Sequence, residues 1–270
     1  MVKCAIIAIS RGRTEKPMIY DLQKASMLKR ASAYIFDMIL LLVLATGLAF
    51  VLSSLLGYDR YSDQLDACYA KYEEQYGVTF EITQEEYDAL TPAQRQNYDD
   101  ATAALNRDET AVHAFNMMFS LMLVILTLSI LVGYAILEVF VPRLFGNGQT
   151  LGKKVFGIAL MRTNGVKINT ICLFIRTILG KFTIETMIPV LLCIMIFFGV
   201  IGILGPTLIG ILLIAQAVLL IVTHTHSAIH DLLADTVVVD LSSQMMFNSE
   251  LERLDYQKKV AAERAAKKPY

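Results

Sequence analysis

The chain has 270 residues, 55% of them hydrophobic and none of them tryptophan, with a mean hydropathy of +0.52. Soluble domains run at roughly 45–50% apolar, so an ordinary water-soluble fold is excluded. The net charge of −1 decides nothing by itself; what informs is where the charges fall, and they frame long apolar runs with no surface expected for nucleic acid.

Residues 1–17 are expected to be disordered or a non-native N-terminal extension: CAIIAIS is too short for the apolar core of a signal peptide. Residues 18–56 read as an interfacial helix, Ile19–Ser32, with Lys24, Lys29 and Arg30 at headgroup level, running into a first span. That span, Ala31–Leu56, carries Asp37 in its opening turns. A charge at depth costs at least about 2.5–3.5 kcal/mol on insertion scales, so such a carboxylate faces the bundle interior and finds a partner. Arg30 is seven residues earlier on nearly the same helix face; Arg176, Lys181, His230 or a helix end are the partners expected from elsewhere in the chain.

Residues 57–110 hold four Lys/Arg against thirteen Asp/Glu. Thr83 with Glu86 forms a capping box, and Thr91 is followed by Pro92 at a first helical position, so this is a helical insert. It reads first as a solvated cap and second as a vestibule that attracts cations or docks a protein partner. Residues 111–141 supply a second span, with Glu138 at its inner end.

Within 142–183, GNGQTLGKK is not a phosphate loop. Asn147 stands where that motif needs glycine, and Lys154 replaces the metal-binding Ser/Thr. It reads as a tight turn whose lysines anchor phospholipid headgroups. VFGIALMRT and VKIN flank Asn164-Gly165, which predicts a type I′ hairpin of 155–163 against 166–170, with 236–240 alongside. An amphipathic helix is expected from Asn169 or Thr170 through Lys181, with Arg176 and Lys181 toward headgroups.

The apolar run Met187–Val222 would be a rod of about 54 Å as one helix. Gly205-Pro206 breaks it, predicting a hairpin over 184–223 with spans 184–204 and 206–223 and Glu185 at an inner end. In 224–241, THTHSAIHDLLAD places His226 and His230 four residues apart, but no glutamate follows His226. A helix-end hydrogen-bond cluster is expected there, then a strand; neither a metal nor any other cofactor is. Residues 242–270 form a tail with Lys258, Lys259, Arg264, Lys267 and Lys268.

Lys/Arg excess near span ends marks the cytoplasmic side. Residues 1–30 hold seven Lys/Arg, and 142–170 hold five with no acid. Four spans therefore leave both termini and 142–183 cytoplasmic and the insert outside; three spans, with the tail outside, are the weaker alternative. Of Cys4, Cys68, Cys172 and Cys193, Cys68 alone is then external, a lone thiol open to impermeant reagents.

KRASAYIFDMILL, GQTLGKKVFGI and HSAIHDLLADTVVV together resemble the RDD family of bacterial integral membrane proteins. The resemblance covers roughly 18–56 and 112–241, omits the insert, and places the arginine and two aspartates of the family motif at Arg30, Asp37 and Asp231, with His230 beside the last. It implies a multi-span protein of the bacterial plasma membrane, with transport, including sodium/proton exchange, suggested for some members. The expectation is thus an all-α membrane protein: a four-span bundle with a small cytoplasmic β-hairpin or sheet and an extracellular helical insert. Its function reads as transport of a cation or small solute, as a homo-oligomer in the lipid bilayer. The alternative is a non-transporting assembly or accessory protein whose Arg/Asp set is a tether. Enzymatic chemistry is not expected, since no nucleophile motif is present. Arg30, Asp37, Asp231 and His230 are the candidate ion or tether residues, with Arg176, Lys181, Glu138 and Glu185 secondary.

Overall fold

The computed structural model describes residues 21–223, 225 and 227–266. The expectations placed on residues 1–17, His226, Lys267 and Lys268 lie outside the described residues. Among the described residues four helices are long and apolar enough to cross a membrane: α1 (Met27–Leu56), α5 (Glu109–Phe145), α7 (Thr170–Phe197) and α8 (Leu204–Val222). Together with a small two-stranded sheet they make an all-α membrane bundle. The spans keep large apolar side chains on their outer surfaces, among them Leu42, Leu213 and Ile221, each at least 66% exposed. In water such a surface would aggregate; in lipid it is solvated.

The chain forms two compact units, Val43–Ile130 and the residues on either side of it. The first contains the insert: α2 (Tyr58–Tyr76), α3 (Gln84–Ala89) and α4 (Pro92–Leu105). Thr83 and Thr91 each close a reciprocal capping box, with Glu86 and Gln94, and Pro92 opens α4. Edge-on aromatic contacts tie these helices together: Tyr69–Phe80, Phe80–Tyr98 and Tyr87–Tyr98, with ring centroids 5.3–5.8 Å apart. Asp108 accepts from the N–H groups of Thr110 and Ala111 at the start of α5, and from Tyr72 and Lys71. The Tyr72 hydroxyl and these other donors hold its carboxyl down at about 2. Cys68 is buried in this small core, 8% exposed, against the expectation of an open external thiol. Helical periodicity places it beside Leu65 and Tyr72, on the inward face of α2.

The second unit is built around β1 (Ile158–Arg162) and β2 (Thr236–Asp240), antiparallel with Leu160 opposite Val238. Both faces of the sheet are covered. Ile158, Leu160 and Val238 pack with Ala25, Ala33 and Leu173, while Ala159, Met161, Val237 and Val239 pack with Leu22, Leu241 and Met246. A strand buried on both faces reads as a continuous apolar run, as TVVVD does.

Several boundaries differ from the sequence expectation. Residues 21–26 are not the start of an interfacial helix; they lie extended along β2, with the Ala25 N–H on the Val238 carbonyl and the Asp240 N–H on that of Gln23. The unpaired edge of β2 offered those bonds, and Ser26 then caps α1. At Asn164-Gly165 only the glycine has positive φ (84°), so the turn is not type I′. Its three-residue loop closes with the Arg162 N–H on the Val166 carbonyl, and beyond the Met161–Lys167 bridge the returning strand stops. β2 lies on the other edge of β1, where 236–240 was expected alongside, so Met161 faces Val237 on one side and Lys167 on the other. The amphipathic helix expected before span three is instead continuous with it, as α7, and the break between α7 and α8 falls at 198–203. Pro206 sits in the first turn of α8, where its missing N–H costs nothing. The tail after β2 is largely a helix, Glu250–Ala266.

Three segments share this sheet: 23–25 before span one, β1 between spans two and three, and β2 after span four. They must lie on one side of the membrane, which requires an even number of crossings between successive segments. The three-span alternative fails on this ground.

Candidate functional site

Ionisable side chains from five elements converge beside the sheet. α1 supplies Arg30 and Asp37, α5 supplies Glu138, the short helix α6 (Leu151–Val155) supplies Lys153, α7 supplies Arg176, Lys181 and Glu185, and α9 (Ile229–Leu233) supplies His230 and Asp231. Most are nearly inaccessible: Arg176 and Asp231 are 2% exposed, Glu138 and Lys181 4%, Lys153 and His230 6%, Asp37 9%. Charges at such burial persist only when paired.

Asp231 is the hub. Its Oδ1 accepts from Arg176 Nε at 3.0 Å and Thr236 Oγ1 at 3.1 Å, and its Oδ2 lies 3.5 Å from Arg30 Nη2 and 3.6 Å from His230 Nε2. Arg30 also donates to the Thr225 carbonyl. Burial alone would raise the Asp231 pKa, but Arg176, His230 and Arg30 hold the carboxyl well below the usual carboxylate range. The guanidinium of Arg176 continues to Glu138, Nη1 to Oε2 at 3.5 Å, and Lys181 closes on Glu138 Oε1. His230 Nδ1 stands 2.7 and 2.8 Å from the two oxygens of Glu185, which also accepts the His230 backbone N–H. Burial, then Arg176, pushes the imidazole below its ordinary pKa. An ionised carboxylate can only accept, so the ring carries its proton on Nδ1.

Asp37 stands apart from this hub. Its Oδ1 accepts the Gly152 N–H at 2.8 Å and its Oδ2 the Thr150 hydroxyl. Lys153 Nζ is 4.0 Å from Oδ2 and donates to Thr150 Oγ1 at 3.2 Å. Of the expected partners, Arg176, Lys181 and His230 make no bond to it; a helix end does, because Thr150 and Gly152 open α6. The fit depends on Gly152: a Cβ there would meet the Ala33 carbonyl and come within 2.9 Å of Asp37 Oδ1. Burial pushes the Lys153 ammonium down to about 8; Glu138 and Asp37 support the charged form, and Lys181 and Arg176 oppose it.

Two expectations are overturned here. Lys153 is not a phospholipid anchor, and Arg176 and Lys181 do not reach for headgroups. Sequence defaults put lysine and arginine at surfaces, but each of these meets a buried acid. Thr150, Gly152 and Lys153 were missed as site residues although they stand inside a quoted motif. Gln216 was missed too, and its signal was visible: a lone amide in the apolar run of α8. It accepts the Ile229 N–H at 3.2 Å and reaches Glu185 at 3.5 Å.

The local backbone explains how α7 presents its charges together. Residues Ile175–Met187 form a π-helix, as do Ala135–Phe140 around Glu138 in α5. In an α-helix of about 3.6 residues per turn, positions 176 and 185 would stand roughly half a turn apart. The i→i+5 bonding of a π-helix widens the turn, so that positions 176, 181 and 185 come back to one side. Gly180, between them, lets α9 approach; a Cβ there would meet His230 Cβ, with Cα 2.7 Å away.

Arg30, Asp37, Lys153, Arg176, Lys181, Glu185, Gln216, His230 and Asp231, together with Tyr34, face one cavity of about 380 Å³. Its remaining wall is apolar, from Met27, Ala31, Ala33, Ile158, Leu220, Ala228 and Val238. Among the described residues no group of three or more His, Cys, Asp or Glu side chains is placed to hold a metal ion.

A model of the RDD family matches residues 24–235, the bulk of the chain, and Arg30, Asp37 and Asp231 all fall within the match. No curated protein sequence and no solved structure matches the chain.

Proposed function

This chain belongs to the RDD family of membrane proteins, and we propose that it is a transporter that carries a cation or small solute across the membrane in exchange for protons. The observation that carries the reading is the cavity: a space of ligand size, about 380 Å³, walled by ionisable side chains that belong to or adjoin membrane-spanning helices. Intramembrane ionisable groups are expensive and by default mark pathways for substrate or protons. Groups that change charge inside one cavity, beside His230 and Lys153 with their lowered pKa values, suit coupled exchange. The reading is of a carrier and not an enzyme. It places the protein in the bacterial plasma membrane, with the Lys/Arg-rich sheet side and both termini cytoplasmic, the acidic insert outside as a candidate surface for a protein partner, and two or more copies together in the bilayer.

Purified protein in liposomes, with a pH-sensitive dye inside, tests this. Wild type should move protons when a gradient of sodium, potassium or organic solute is imposed, and Asp37→Asn should abolish the movement while keeping the fold, since asparagine still accepts the Gly152 N–H. Full transport by a folded Asp37→Asn protein would remove Asp37 from the pathway.

One feature favours a second reading, a structural tether without transport: each of Asp37, Glu138, Glu185 and Asp231 already meets donors or bases. On that reading folded wild type passes nothing, and substitutions in the charge set alter stability alone.

A further inference from the structure

Around the cavity, acceptors are better satisfied than donors. Asp37 accepts from Thr150 and Gly152, Asp231 from Arg176 and Thr236, and Glu185 from His230 and Gln216. The donors fare worse. Lys153 carries three protons on Nζ, and the hydrogen bond it makes goes to Thr150 Oγ1; its distance to Asp37 is 4.0 Å. Arg176 Nη1, on a side chain 2% exposed, has only an ion pair with Glu138 Oε2 at 3.5 Å, and neither of these two atoms has a hydrogen-bond partner. Buried donors without acceptors are costly, and both of these side chains line the cavity. Its wall also bears four Lys/Arg side chains, Arg30, Lys153, Arg176 and Lys181, against three acids, Asp37, Glu185 and Asp231. Glu138, which evens that count, is not part of this wall.

We propose that the cavity binds a small organic anion: a carboxylate or similar oxyanion seated at Lys153 and Arg176, on a compact apolar body lying against Met27, Ala31, Ile158, Leu220 and Val238. The volume suits such a ligand, since small-molecule pockets run from about 300 Å³ upward and are mostly apolar with a few placed polar groups. The oxyanion accepts the protons that Lys153 and Arg176 now leave unbonded, and the apolar wall takes the body. The proposal rests on the reading of this cavity as the transported solute's site and names the class of solute.

Benzoate is the probe, with benzyl alcohol as the body without the charge and acetate as the charge without the body. Binding is measured by calorimetry on the full-length protein in detergent, with no gradient present. Benzoate should bind more tightly than either control. Lys153→Met should weaken it about tenfold or more, as expected for loss of a charge-assisted bond, and Lys153→Arg should restore most of it. Lys153→Met is expected to fold, because Thr150 and Gly152 still hold Asp37. A free anion and a lipid headgroup share this chemistry, so lysophosphatidate is titrated as competitor. Displacement of benzoate at far lower concentration would make the lipid the source; otherwise the source is a soluble anion. Equal binding of benzyl alcohol, no measurable benzoate binding, or benzoate binding untouched by Lys153→Met would overturn the proposal. Benzoate binding in a protein that moves nothing in liposomes would sink the transport reading alone. Asp37-dependent cation flux with no benzoate binding would sink the anion site alone.

Discussion

At the scale of single residues, Asp37 and Lys153 show how one small helix end settles a buried pair. Asp37→Ala orphans the Thr150 hydroxyl and the Gly152 N–H as well as leaving Lys153 without its acid. A loss on the order of 3 kcal/mol is expected in detergent unfolding, against about 1 kcal/mol for Asp37→Asn, which keeps an acceptor. Equal losses would mean that charge, not hydrogen bonding, holds the residue. Lys153 makes a prediction with pH. Its folded-state pKa, near 8, is below the ordinary 10.5, so between those values the unfolded chain binds the extra proton. Stability contributed at this position therefore rises with pH from about 8 to about 10, by up to about 3 kcal/mol, as the buried ammonium becomes an amine. Wild type should gain melting temperature relative to Lys153→Met across that window, and a flat difference would contradict the burial of a charged lysine. The motif GQTLGKK was legible in the sequence, yet the side of the membrane surface on which Lys153 would lie was not. Only the packing of α6 against α1 buries it.

At the scale of elements, the π stretch of α7 and the glycine within it decide which charges meet. Gly180→Ala pushes a methyl into the backbone of α9 at His230. Overpacking of this kind costs about 1–3 kcal/mol, and here it should also part His230 from Glu185. The readout is the His230 ring resonance in NMR. An unshifted imidazole signal in the variant would show that α9 is free to give way. The existence of α7 was readable from its apolar content, as were the caps of α3 and α4 from Thr83-Glu86 and Thr91-Pro92. Its π register was not readable, because i→i+5 bonding has no composition of its own and is chosen by the partners it brings together. The same limit applies to residues 21–26, where a helix-compatible sequence lies extended because the edge of β2 had open hydrogen-bonding groups.

At the scale of the molecule, one sheet drawn from segments before, between and after the spans makes the crossing number even. The direction of insertion is the remaining proposal, and Cys68 cannot report it quickly, being buried with its thiol pushed up by that burial. Ala70, exposed on α2, can. With Ala70→Cys in intact cells lacking an outer-membrane barrier, an impermeant maleimide should label the new thiol, while Cys68 in the unaltered protein stays slow until denaturant is added. Labelling of Ala70→Cys only after permeabilisation would invert the topology.

By itself the sequence determined that this is a membrane protein with long apolar spans and a helical, acidic insert, and its short motifs gave the family resemblance that singles out Arg30, Asp37 and Asp231. These follow from quantities summed along the chain: apolar run length against bilayer thickness, capping residues at fixed offsets, and the order of short motifs. That the spans number four and not three was decided by the sheet. Tertiary structure alone decided who pairs with whom. Asp231 took Arg30 and Arg176, Glu138 took Lys181, and Asp37 took the opening of α6. A buried charge selects its partner by distance and geometry in space, and residues 37 and 152, or 176 and 231, are neighbours only after the sheet and the π stretch have brought their elements together.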